Sequence, residues 1–285
     1  MSSDRLILVT GGTGGLGRRV VPRLHGAGRR VRVLSRHPKP TVEGVEYVAA
    51  DLARDSGVAE AVAGAEIVLH LAGAAGIDEN EAQIRNLVRH AVEAGVRHLV
   101  NISVVGADRI PVVSSVDRAM FGYFAGQLAV ERAVIESGLP WTNLRATQFH
   151  DGFVLVMVQS MTKLPVVPVP AGFRFQPVAA EEVADRLVEL TLGPPAGQVP
   201  DIAGPEILDA AYLVRSYVAA VGKRRLLVPM PLPGAAARAV RDGANLAPGR
   251  TVGKQSWENF LRGYAASLGA RTRAAAPAAR RSPPS

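Results

Sequence analysis

Cysteine is absent from the 285 residues. Disulfides, thiol nucleophiles and cysteine-held metal sites are thereby excluded, and a reducing, cytoplasmic location is expected. Lysine is scarce: of 33 basic residues only Lys39, Lys163, Lys223 and Lys254 are lysines, the rest being arginines. With abundant Ala, Gly and Pro, this reads as the codon bias of a GC-rich genome. No uninterrupted apolar run reaches the ~18 residues of a membrane span. The best candidate, 153–171, is broken by Gln159, Ser160, Lys163 and prolines, so no membrane is expected as a partner. Residues 1–5 lead directly into a strand-like run, leaving no room for a signal peptide.

What is present is ordinary for a globular chain: 48% hydrophobic and 20% charged residues. The net charge of +8 invites a nucleic-acid reading. Part of that surplus is Arg271, Arg273, Arg280 and Arg281 in a terminal stretch without acids, so nucleic acid is not expected and a small-molecule partner is.

Along the first half, short apolar runs alternate with longer periodic ones. Strands are predicted at 6–9, 31–34, 45–49, 67–70, 99–102 and 141–144. Helices are predicted at 16–27, 56–63, 79–94 and 118–137. Alternation of this kind implies right-handed crossovers and a parallel sheet covered on both faces, an α/β doubly wound, Rossmann-like fold with strand order 3-2-1-4-5-6. After Phe149 the rhythm breaks. The proline-rich stretch 164–170 is neither helix nor a good central strand. Helices are predicted at 181–192, 210–221 and 235–244, with a turn at 229–233. Three regions follow: a dinucleotide-binding core at 1–150; substrate-covering segments and a smaller lobe at 151–268, with helix 181–192 packing back on the core; and a disordered tail at 269–285.

Thr10-Gly11-Gly12-Thr13-Gly14-Gly15-Leu16-Gly17 joins the first strand to the first helix. The spacing Gly11-x-x-Gly14-x-x-Gly17 suits a tight turn, close approach of a pyrophosphate, and close helix packing, in that order. Thr13, Gly14, Gly15 and Leu16 then present N–H groups and the positive helix end to phosphate. At the end of the second strand no acid stands between Leu34 and Thr41 to grip a ribose 2′-hydroxyl. Ser35 and Arg36, with Arg18 as a further candidate, suit a 2′-phosphate instead, so the expected cofactor is NADP(H). Asp51 and Leu52 are expected beside adenine, the carboxylate accepting from its amino group and Leu52 covering its face. Leu71, Ala72 and Gly73 end the fourth strand with small residues beside the dinucleotide.

These segments, with Ser103 and Tyr123 in the same order, resemble the short-chain dehydrogenase/reductase superfamily. The TGGTGGLG form, with Leu144-Arg145-Ala146-Thr147-Gln148-Phe149-His150 after the sixth strand, resembles its atypical, NmrA-like NAD(P)H-binding branch. The resemblance implies a catalytic Ser at Ser103 and a Tyr-x-x-x-Lys pair on the next helix. Here the pair reads Tyr123-x-x-x-Gln127, and no register slip restores the lysine. Gln127 can still hydrogen-bond a ribose hydroxyl but cannot stabilise a tyrosinate by charge. Tyr123 is therefore either the acid or an aromatic packed beside Phe121 and Phe124. His150 is a second candidate proton donor, with Gln148 and Phe149 expected at the nicotinamide; the substrate itself is a third source. The function implied is an NADPH-dependent ketoreductase acting on a bulky, apolar, aromatic-polyketide-like substrate in antibiotic biosynthesis. The alternatives are a non-catalytic NADP(H) sensor, a quinone reductase and an isomerase. Trp257, Phe260, Met157 and Met161 read as core.

Overall fold

The computed structural model describes residues 5–73 and 76–275. Its first half runs β1 (Leu6–Thr10), α1 (Gly17–Gly26), β2 (Arg30–Ser35), β3 (Glu46–Ala49), α2 (Val58–Val62), β4 (Ile67–His70), α3 (Ile77–Glu93), β5 (His98–Val104), α4 (Ser115–Glu136) and β6 (Trp141–Ala146). A π-helical turn (His150–Val154) leads to α5 (Leu155–Met161), β7 (Val166–Pro170), β8 (Arg174–Phe175), α6 (Ala180–Leu192) and β9 (Gly197–Gln198). Then come β10 (Leu208–Asp209), α7 (Ala210–Ala220), β11 (Leu226–Met230), α8 (Ala235–Arg241) and α9 (Trp257–Ala275).

The main sheet is parallel, in the order β3-β2-β1-β4-β5-β6-β9. Strand β1 shows why it needs cover on both sides, since all five of its residues are buried. Ile7 and Val9 pack with Val20 and Leu24 of α1 and Leu187 of α6. Leu8 points the other way, to Val62 of α2, Leu87 of α3 and Val130 of α4. A second core lies outside the sheet, where Val158, Val167, Phe175, Leu213, Val240 and Trp257 meet.

The predicted six-strand order is observed, extended by the two-residue β9. A rung of amides, buried at Asn101 and Asn143, holds that edge: Asn101 Nδ2 donates to Asn143 Oδ1 (2.7 Å), and Asn143 Nδ2 to Gln198 Oε1 (2.8 Å). Stretch 164–170, expected to be neither helix nor a good central strand, contributes β7, which pairs in parallel with β11 in a two-stranded sheet apart from the main one. The turn expected at 229–233 begins inside β11, because Pro229 needs no N–H on its free edge. The terminal stretch expected to be disordered from 269 continues α9 as far as Ala275; the rest of that expectation lies outside the described residues.

Candidate active site at the strand carboxyl ends

The glycine loop is shaped by contacts that forbid a side chain. Gly11 has φ 64°, and a Cβ there would lie 2.6 Å from the Leu71 carbonyl carbon. A Cβ on Gly17 would meet Gly11 O at 2.3 Å, so the helix packs on the loop itself. Among the described residues, no protein acceptor meets the N–H of Gly15 or Leu16 at the start of α1. Free donors at a helix N-terminus are what a pyrophosphate needs. Beneath the loop, Thr10 Oγ1 bonds His70 Nδ1 (2.8 Å), and burial pushes the His70 pKa down to about 4.

A cavity of about 580 Å³ opens beside this loop. It gathers Gly11, Thr13 and Gly14 with Ser35, Arg36, Asp51, Leu52, Leu71, Ala72 and Gly73. Gly15, Leu16, Gln127, Gln148, Phe149 and the three catalytic candidates are not in its wall, and neither is Arg18. Five wall residues were not among the expected ones: Leu34, Ala53, Arg54, Glu79 and Gln83. Arg54 lies three residues past Asp51, a spacing that could have flagged it; Glu79 and Gln83 carry no motif and hydrogen-bond each other across one turn of α3 (3.2 Å).

Three wall residues differ in use from the expectation. The Ser35 hydroxyl donates to His37 O (2.8 Å), so its proton is spent inside the protein. Asp51 Oδ1 accepts from the N–H groups of Ala53 (2.9 Å) and Arg54 (3.1 Å), fixing its own loop, while Oδ2 lies 3.9 Å from Arg54 Nε. Leu52 borders the cavity but is buried with Val58 and Val62, so it offers little face to an adenine ring. Arg36 and Arg54 remain as exposed cations on the rim.

Past Gly73 the site continues toward α4. Gln127 Nε2 lies 3.6 Å from where a Gly73 Cβ would stand. Tyr123, one turn earlier, is 47% exposed, and desolvation by the surrounding wall pushes its phenol pKa upward. No lysine stands near it in the sequence, Lys39 and Lys163 being the nearest. Ser103 on β5 is buried, and its Oγ meets no partner; Thr147, just past β6, carries the other hydroxyl in that condition among the described residues. Buried unpaired hydroxyls are costly unless a ligand completes them.

The residues after β6 depart from their expected roles. Gln148 is spent structurally: Nε2 donates to Asn245 O (3.1 Å) and Oε1 accepts from Gln176 N (3.1 Å). Phe149 forms a bridge with Val178 and packs on the sheet core. His150 is 1% exposed, stacked on Phe260 at 5.2 Å and beside Trp257 at 6.0 Å. Burial drives its pKa down to about 4, so at neutral pH it is a neutral imidazole and only a weak acid. Arg19, which no motif singled out, joins the parts. It donates to Gly15 O in the loop (2.7 Å), to Glu181 of α6 (2.7 Å) and to Asp151 of the π-helical turn.

A glycine cradle with free helix N–H groups at the carboxyl ends of a doubly wound parallel sheet defines a dinucleotide-binding protein. Residues 11–192 match the family model described as NAD(P)H-binding, and the chain belongs to that family. It therefore binds NAD(P)H. One relative, the (4-alkanoyl-5-oxo-2,5-dihydrofuran-3-yl)methyl phosphate reductase of Streptomyces griseus, is 35% identical over 147 residues, which are 50% of this chain and 48% of that protein. The chain thus spans about half the length of that relative. An uncharacterized oxidoreductase of Bacillus subtilis is 27% identical over 79% of this chain and 74% of its own. The fold is also that of an Escherichia coli NADPH-dependent quinone oxidoreductase solved with NADPH (TM-score 0.74, 18% identity, 92% of this chain and 99% of that one). The same holds for an Agrobacterium tumefaciens short-chain dehydrogenase/reductase superfamily protein with bound NAD (TM-score 0.70, 19% identity, 95% and 99%). Among the described residues no helix is long and apolar enough to cross a membrane, and no group of side chains could hold a metal ion.

Proposed function

We propose that this chain is an NADPH-dependent reductase that transfers hydride to a carbonyl of a bulky, mainly apolar substrate, the class that includes ketones on aromatic polyketide-like skeletons. One observation carries the reading: a dinucleotide cradle follows β1 of the same sheet in which β5 carries a buried, unpartnered Ser103 hydroxyl. NADPH is favoured over NADH by Arg36 and Arg54 on the cavity rim and by the lack of any acid at the end of β2.

Bound NADPH supplies the hydride. The chain's own part is binding and orientation. Gly15 and Leu16 N–H hold the pyrophosphate, Gln127 donates to a ribose hydroxyl, and Ser103 Oγ donates to the carbonyl oxygen. Tyr123 stays protonated through the neutral range and can donate a hydrogen bond, but with Gln127 in place of a lysine it has no cation to stabilise its anion. The proton that ends on oxygen then comes from water or from a hydroxyl on the substrate. Such a site is best matched by a carbonyl beside a phenol on the same skeleton, whose own proton can pass to the alkoxide oxygen as hydride reaches the carbon. Val116, Met120 and Tyr123 on α4 and Phe153 after β6 leave exposed apolar surface suited to such a skeleton. Support from the relatives is limited to their names, a quinone oxidoreductase and a reductase of an acyl dihydrofuranone.

Purified protein with NADPH, screened against aromatic ketones, quinones and conjugated enones by cofactor absorbance and product mass, tests this. Turnover with stoichiometric reduced product is expected. Tight NADPH binding without turnover of any of them would overturn the reading and favour an NADP(H) sensor, to which the missing lysine also points.

A further inference from the structure

The chain's surplus charge has an address. Segments 152–180 and 210–241 contain Lys163, Arg174, Arg215, Lys223, Arg224, Arg225, Arg238 and Arg241 and no Asp or Glu. The rest of the sequence holds 25 basic and 25 acidic residues.

They also build β7 and β11. Pairing is parallel with Leu226 opposite Val166, so Lys163 and Lys223, each three residues before its paired partner, reach the same end of the ribbon. Arg225 Nε donates to Thr162 O (3.0 Å) and fixes that end, with Lys163, Lys223 and Arg224 exposed around it. The inner face is apolar, as a core face should be: Val167, Val169 and Leu227 join the second core. The outer face is apolar as well. Leu226 is 64% exposed and Leu164 59%, with Val166, Val228 and Met230 beside them. A solvated sheet face normally alternates to polar residues.

We infer that this ribbon is a peripheral docking surface for an anionic lipid bilayer. Aliphatic side chains would enter the interface while the basic end faces acidic headgroups. A second copy fits worse, because a two-fold contact would set the same cations against each other. Strand addition fits worse too, since Pro168, Pro170 and Pro229 remove backbone donors from the strands. The face carries no Trp, Tyr or Phe to anchor a protein partner.

Co-sedimentation of the full chain with phosphatidylglycerol–phosphatidylcholine vesicles, against phosphatidylcholine alone, tests it. Binding is expected to the anionic vesicles and to be lost at about 0.5 M salt. Lys223→Gln and Arg224→Gln should each lower partitioning about five-fold, and Leu226→Ser with Val228→Ser should lower it further. Unchanged NADPH affinity in each variant establishes that it has folded. No binding to anionic vesicles, or binding that ignores charge and these substitutions, overturns the inference. So does a dimer in solution that Leu226→Ser dissociates while no vesicles bind, because the face then belongs to a second copy.

Discussion

At the scale of single residues, the cradle makes the sharpest demand. Gly11→Ala would place a methyl against the Leu71 carbonyl at positive φ. A loss of about 1–3 kcal/mol in stability and of measurable NADPH binding is expected, read by thermal unfolding and cofactor fluorescence. Replacing Arg36 with Asp, alone and together with Arg54→Ala, should weaken NADPH by about ten- to a hundred-fold and NADH far less; equal losses would remove the 2′-phosphate assignment. Tyr123→Phe should leave turnover within a few-fold of the parent, since the phenol has no charged neighbour to make it a strong acid. A collapse in rate would restore it as the donor. The loop glycines and Arg36 were legible in the sequence because their chemistry is local. Arg19 and the engaged states of Ser35 and Gln148 were not, because each is decided by a partner distant in space or by a turn whose hydrogen bonds leave no spacing signal.

Elements are held by burial more than by charge. Helix α6 meets α1 through Arg19 and Arg23 with Glu181 and Asp185, and through fully buried Leu187 beneath them. Those ion pairs are partly exposed, so Arg23→Ala should cost no more than about 1 kcal/mol. Leu187→Ala should cost about 2–5 kcal/mol. Denaturant unfolding separates the two. Six strands of the sheet and their order were readable because buried parallel strands are continuous apolar runs between helices. Strand β9 was not, since two residues carry no period, and β7 and β11 were masked by prolines that only a ribbon's free edge tolerates. His150 illustrates the same limit: its place after β6 suggested chemistry, while the stack that occupies it comes from α9, more than a hundred residues later.

For the molecule as a whole, three histidines, His70, His98 and His150, are buried and held neutral with pKa values of about 4. Unfolded, each would titrate near its ordinary value, so between there and about pH 4 the unfolded chain binds the extra protons. Stability should therefore fall as pH drops through this window, by up to about 1.4 kcal/mol per pH unit for each group. His150→Phe should flatten part of that slope in Tm against pH. An unaltered slope would mean that His150 is charged in the folded state. The central claim is that the chain delivers hydride from NADPH to a conjugated carbonyl by positioning alone. It is tested most directly by a single turnover with C4-deuterated NADPH, an aromatic ketone and the Tyr123→Phe variant. The account predicts carbon-bound deuterium in the product at near-parental rate, with one NADPH consumed per product. NADPH bound but unconsumed, or deuterium transfer lost with the phenol, would contradict it.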